Sequence, residues 1–221
     1  SAYAAWDVTH GSSAIVVAVL DTGYRPHAGM AGRILPGYDM ISNVNVSNDG
    51  AGRDADASDT GDWITDAEAQ LRSGPFYQCN VENSSWHGTQ TSGLIGALTN
   101  DGTGMASVGR TIRVLPVRVL GKCGGFDSDI IAGMRWAAGL PVPGVPPNAN
   151  VARVLNLSLG GDGTCSAAYR DAIAAESRQG TRMPRPSARS SRAYRYGVEI
   201  TALPDPTAYA SVPDVICSGL R

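Results

Sequence analysis

The stretch Ala14-Ile15-Val16-Val17-Ala18-Val19-Leu20-Asp21-Thr22-Gly23 constrains this chain more than any other. Its apolar residues show no helical spacing and are rich in Val and Ile, which reads as a strand buried on both faces. Such a strand needs helices above and below it. The run ends in an acid, a hydroxyl and a glycine. Open parallel sheets present their chemistry at the carboxyl ends of strands, so Asp21 stands where a functional carboxylate is expected. A buried strand followed by an ordinary turn is the alternative at this point.

The remainder of the chain supplies the other layers. Residues 3–9 can form a short helix, which Gly11-Ser12-Ser13 breaks. Residues 33–40 read as a short strand that Pro36 confines to a sheet edge. A polar, Asn- and Asp-rich loop is expected from 42 to about 66. Small residues (Gly88, Ser92, Gly93, Gly96, Ala97) dominate a helix over 88–98, which suits tight packing inside a core. Strands are expected at 111–120 and 151–159, and helices at 128–139 and 166–177. Asp127 is expected to cap the first of these helices, with Ile130, Met134 and Ala138 on one face. In the second, Ala167, Ile173 and Ala174 are expected to face inward. Strands alternating with helices predict a three-layer, doubly wound α/β fold with a parallel sheet and helices on both faces.

Composition excludes more than it assigns. A length of 221 residues suits one domain, and a net charge of -2 gives no reason to expect a nucleic acid or an anionic membrane as partner. No apolar run approaches the ~20 residues that span a bilayer. The opening Ser1-Ala2-Tyr3 reads as a processed N-terminus rather than a signal peptide. Cys79, Cys123, Cys165 and Cys217 lack metal-ligand spacing, and disulfides in a secreted protein are the preferred reading over free buried thiols. From Arg178 onward the character changes. Arg178, Arg182, Arg185, Arg189, Arg192 and Arg195 fall among Pro and Ser with no acid before Glu199, a composition that builds no core. Residues 178–221 therefore read as an atypical tail after the domain part spanning 1–177, either a lineage-specific loop or, the preferred reading, the product of a shifted reading frame.

Trp86-His87-Gly88-Thr89-Gln90-Thr91-Ser92-Gly93 and Val154-Leu155-Asn156-Leu157-Ser158-Leu159-Gly160-Gly161 follow Asp21-Thr22-Gly23 in order. In that order the three motifs resemble the subtilisin-like serine proteases, secreted bacterial type, over roughly residues 5–176. The resemblance implies a truncated subtilisin-like fold and cleavage of extended polypeptides by an Asp/His/Ser triad. A serine hydroxyl is a poor nucleophile until an imidazole takes its proton, and that imidazole needs a carboxylate to fix its tautomer. Asp21 is the expected orienting acid and His87 the expected base, with Gly88 leaving room for a substrate backbone. His10 and His27 lack comparable context. The resemblance also implies a substrate cleft between Gly124-Gly125, with Lys122 leading into them, and Ser158-Leu159-Gly160. There an extended peptide adds as a strand. It further implies an N-terminal propeptide removed on maturation, a monomer and secretion.

The family nucleophile motif, Gly-Thr-Ser-x-Ala, does not occur in residues 1–221. Gly102-Thr103-Gly104-Met105-Ala106 and Gly163-Thr164-Cys165-Ser166-Ala167 imitate it at the wrong places, although Ser166 is the first serine to consider. No Asn follows Asn156, so the family's oxyanion asparagine is absent as well. A catalytically dead, peptide-binding fragment is the serious alternative. Two remoter ones are a phosphate-binding kinase through Gly160-Gly161-Asp162-Gly163-Thr164 and an aspartic protease through the Asp-Thr-Gly triplets at Asp21 and Asp59. The second triplet lacks a supporting apolar strand, which rejects the latter. Asp49, Asp54, Asp56, Asp59 and Asp62 crowd one loop and are expected to ligate Ca²⁺, against a solvated acidic loop. A further calcium loop, common in the family, would involve Asn100, with one expected acid replaced near Gly29. The resemblance also implies a Cys79–Cys123 disulfide, and Cys165–Cys217 is expected to tie the last helix to the tail.

Overall fold

The computed structural model describes residues 2–160 and 166–181. The Cys165–Cys217 pair, the glycine run beyond Gly160 and the arginine-rich stretch from Arg182 lie outside the described residues. Strand β1 (Val16–Asp21) is buried at every position, as its composition demands. It lies inside a four-stranded sheet of order β2-β3-β1-β4, with β2 at Tyr38–Asp39, β3 at Arg113–Arg118 and β4 at Val154–Leu157. Every pairing is parallel, with Asp21 beside Arg118 and Leu20 beside Leu157. The edge position of β2 fits the proline before it.

The period-two alternation of β1 divides the core. Val17 and Val19 pack with Val114, Ile112 and Ile95, under helix α4 (His87–Gly96), which follows the short helices α1 (Ala2–Trp6), α2 (Val44–Ser47) and α3 (Asp66–Gln70). Val16, Ala18 and Leu20 face the other way, into the larger core with Leu115, Val117, Leu155, Met134 and Ile173. That side is covered by α5 (Asp127–Ala137) and α6 (Ala167–Arg178). Helices thus cover both faces, and the three-layer expectation holds. By the same alternation Asp21 shares the face of Val17 and Val19, and so points at α4.

Several local expectations give way. Asp127 does not cap α5; Phe126 holds the cap position without a side-chain bond, and Asp127 instead accepts a hydrogen bond from the Tyr169 hydroxyl at 3.2 Å. Ala167 is exposed, on the side of the first turn of α6 away from the buried Tyr169; Ile173 is buried as expected and Ala174 only half-buried. The acidic loop is not structureless, since Asn43 caps a short helix at Val44–Ser47 and Thr65 a second at Asp66–Gln70.

Glu176 sits on the buried face of α6, and neither carboxylate oxygen has a hydrogen-bond partner among the described residues. Burial pushes its pKa up to about 8, with Arg135 pulling it down. An acid raised in the folded state favours folding only while protonated. Its cost therefore grows as pH climbs from the unfolded carboxylate range through about 8. Glu176→Leu is expected to stabilise the chain by about 1–3 kcal/mol, more at about pH 8 than at about pH 5. Urea unfolding at the two pH values measures this, and a gain that does not change with pH contradicts it.

Candidate active site

The carboxyl end of β1 and the amino end of α4 meet at one point. His87 Nδ1 lies 2.8 Å and 2.9 Å from the two Asp21 carboxylate oxygens. The acid side chain is 1% exposed and the imidazole 26%, so the pair is dry on one side and reachable on the other. The Thr22 N–H donates to Asp21 Oδ1 at 2.7 Å, and the Asp21 carbonyl accepts from Val119 and Leu120. A carboxylate held this way fixes the proton on Nδ1, which leaves Nε2 as the basic nitrogen.

The approach of strand and helix depends on glycine. A Cβ on Gly88 would stand 2.2 Å from the Gly23 carbonyl oxygen, and one on Gly23, at φ +100°, would stand 2.7 Å from the Ala57 carbonyl. Gly88 therefore makes room for Gly23 of the chain itself, which corrects the expectation that it makes room for substrate. Trp86 precedes the base in a left-handed conformation, φ 51°, and offers α4 no side-chain cap.

The rims flank the pair. Because β1 lies between β3 and β4, the loops leaving those two strands stand on either side of Asp21. Residues 158–160 run on past the last β1–β4 pairing, at Leu157. On the other side Gly121 and Gly124 bridge, and Gly125 packs against the Val119 carbonyl, where a Cβ would lie 2.3 Å from the oxygen. Cys79 and Cys123 form the expected disulfide beside this rim, with Cα atoms 5.8 Å apart. Lys122 is buried there, pairs with Glu68, and lies 4.7 Å from the Trp63 ring centre and 5.1 Å from that of Phe76. Ser166 caps α6 by accepting from the Tyr169 N–H at 3.3 Å.

The five aspartates expected to ligate calcium are not brought together. Asp49, Asp54, Asp56 and Asp59 each turn back to accept the N–H two residues on, at Ala51, Asp56, Ser58 and Gly61. Asp49 also pairs with Arg118, Asp59 accepts the Thr22 hydroxyl, and Asp62 accepts both the N–H and the hydroxyl of Ser85. Among the described residues no group of three or more His, Cys, Asp or Glu side chains could hold a metal. These carboxylates are spread among local turn, hydroxyl and ion-pair contacts. In the Asn100 loop, Leu98 N–H instead donates to the Gly29 carbonyl at 2.6 Å.

Sequence reading passed over Arg118. It ends β3 beside Asp21, is 1% exposed, and donates to the Thr22 carbonyl, Asp39, Asp49, the Ser47 carbonyl and Thr60. An arginine closing an apolar strand, facing an acid-rich loop, was the signal available.

The Asp21 hydrogen bond lifts the His87 pKa above the ordinary histidine value; burial opposes the rise, and the charges of Asp21 and Asp62 add to it. A raised folded pKa means that this pairing stabilises the fold fully below about pH 6.5. The contribution is lost as pH rises through the folded value. An NMR titration of the His87 ring protons is expected to give a midpoint above that of an unstructured histidine, and Asp21→Asn is expected to lower it. Equal midpoints in the two proteins contradict the assignment.

Comparison with known proteins agrees with this geometry. Residues 12–188 match a family model described as Peptidase_S8, the subtilase family. The chain is 47% identical over 177 residues to an extracellular protease of Xanthomonas campestris, covering 80% of this chain and 29% of that protein. It is 46% identical over 161 residues to an extracellular basic protease of Dichelobacter nodosus, covering 73% and 26%. A solved protease of Pseudoalteromonas arctica superimposes with a TM-score of 0.75 at 52% identity, over 81% of this chain and 51% of that one. The chain thus spans about half or less of the length of these relatives. An acid and a base in hydrogen-bond contact at the end of a parallel sheet, with motifs in the same order, place it plainly: the chain belongs to the subtilase family of peptidases.

Proposed function

We propose that the protein carrying this chain is a secreted serine endopeptidase that cleaves extended polypeptides. The observation that carries the reading is the Asp21–His87 contact at 2.8 Å, set between two open rims. In the reaction, a substrate strand lies between Gly124-Gly125 and Ser158-Leu159-Gly160 and adds its backbone to theirs. His87 Nε2 takes the proton of a serine hydroxyl as that oxygen attacks the scissile carbonyl, then returns it to the leaving amine. Asp21 remains ionised and stabilises the imidazolium through Nδ1. Residues 1–221 contain no Gly-Thr-Ser-x-Ala sequence, so this reading requires a longer polypeptide to supply the nucleophile. Secretion is supported by the extracellular relatives and by the Cys79–Cys123 disulfide, which suits an oxidising compartment. The propeptide and the monomeric state rest on family resemblance.

The test compares residues 1–221 with a polypeptide extended through a Gly-Thr-Ser-x-Ala segment, on an unfolded protein substrate. The longer protein is expected to cleave, to react with a serine-directed fluorophosphonate, and to lose kcat on the order of 10⁶-fold on His87→Ala, the size of loss found for subtilisin's own histidine. Residues 1–221 are expected to leave the substrate intact. A longer protein that binds peptide without cleaving it favours the non-catalytic alternative. Cleavage that survives His87→Ala overturns the mechanism.

A further inference from the structure

Helix α4 carries the base, yet its first turn has no cap of its own, because Trp86 at the cap position makes no side-chain hydrogen bond. The leading N–H groups of a helix need acceptors. The first two are satisfied from outside the helix. The His87 N–H donates to the Ser85 hydroxyl oxygen at 3.2 Å, and the Gly88 N–H donates to the Thr22 hydroxyl oxygen at 3.0 Å. Each hydroxyl in turn gives its proton to an aspartate of one loop. Thr22 donates to Asp59 Oδ2 at 2.6 Å and Ser85 to Asp62 Oδ2 at 2.7 Å.

A hydroxyl has one proton and two lone pairs. An aspartate that holds the proton leaves the hydroxyl only as an acceptor toward the helix. Asp59 is itself fixed, 1% exposed, with the Gly61 N–H on its other oxygen at 2.9 Å. Asp62 is fixed by the Ser85 N–H at 2.6 Å. Thr22 serves both partners of the catalytic pair, since its own N–H holds the Asp21 carboxylate and its hydroxyl holds the residue after His87.

We infer that Asp59 and Asp62 are positioning residues, which set the His87 imidazole against Asp21 by locking the Thr22 and Ser85 hydroxyls as a remote cap on α4. The loop is thereby part of the catalytic apparatus without touching substrate. The inference rests on reading Asp21 and His87 as the acid–base pair. Its consequence is geometric: removing either hydroxyl, or the acceptor of its proton, frees one N–H of the first turn and lets the helix end shift. A contact of 2.8 Å weakens with small displacements.

The test is the NMR resonance of the proton between His87 Nδ1 and Asp21, observed in the 221-residue chain. A strong hydrogen bond moves that proton far downfield of the amide region, and His87→Ala identifies it by deleting it. The resonance is expected to move upfield or disappear in Asp59→Asn and in Ser85→Ala. It is expected to stay in Thr22→Ser, which keeps the hydroxyl. It is also expected to stay in Asp129→Asn, which breaks a buried ion pair with Arg53 away from the pair and so controls for general loosening. An unmoved resonance in folded Asp59→Asn or in Ser85→Ala overturns the inference, and so does an equal loss in Asp129→Asn. Should Asp59→Asn fail to fold, Ser85→Ala, a change at an exposed residue, decides alone. No readout requires peptide cleavage, so failure of the remote cap and failure of the protease reading are separate results.

Discussion

The guanidinium of Arg118 is the point on which the carboxyl end of the sheet depends. A buried arginine is tolerable only if its donors are used, since an unpaired charge in the interior costs several kcal/mol. Here Nε reaches the Thr22 carbonyl, Nη1 reaches Asp39 and Asp49, and Nη2 reaches Ser47 and Thr60. These partners come from the turn after β1, from β2 and from the acidic loop, so one side chain gathers three segments over the end of β1. Burial drives Asp39 up to about 7 even with Arg118 against it, whereas hydrogen bonds from Ala51 and Ser47 together with the Arg118 charge outweigh burial and hold Asp49 below the ordinary range. Asp49 thus remains the ionised partner across neutral pH. Through Asp49, Ser47 and Thr60 the start and middle of the acidic loop are tied to this guanidinium.

Chirality and alternation then do the placing. A parallel sheet with helices on both faces directs alternate residues of an inner strand to opposite layers. The parity that sends Val17 and Val19 under α4 sends Asp21 to the first turn of the same helix. The strand order sets what flanks the acid: the chain leaves β1 for the edge strand β2, returns through β3 and then crosses to β4, so the loops after β3 and β4 stand on either side of Asp21.

This division explains what the sequence revealed. Patterns fixed by the sheet were legible: the doubly buried β1, the edge position of β2, the layers, and Asp21 opposite His87. Patterns fixed by short-range turn geometry were not. Five aspartates in one loop look alike as letters, but four of them accept the N–H two residues on, a turn contact that spacing does not display. Asp127 failed as a cap for a similar reason, because the Tyr169 hydroxyl competes for it from α6. The partners of Arg118 and of the Thr22 hydroxyl were not legible, because they depend on which loop folds over the strand end, a tertiary fact that no spacing encodes.

The rim at Gly124-Gly125, which the proposed function makes a binding edge, follows the same logic. A substrate strand gains little from an edge that must be ordered first, because fixing each residue costs about 1–2 kcal/mol. The chain orders this edge in advance. The Cys79–Cys123 bridge closes a separation of 44 residues, and Lys122 is held between Glu68 and two aromatic rings one position away. Gly124, at φ +99°, then takes a turn that other residues rarely adopt. The Asp21–His87 contact and the Gly121–Gly124 bridge of this rim are both formed by residues within 2–160. On the proposed serine-protease reading, a nucleophile would meet a base whose orientation Asp21 already holds, so the requirement on it is position.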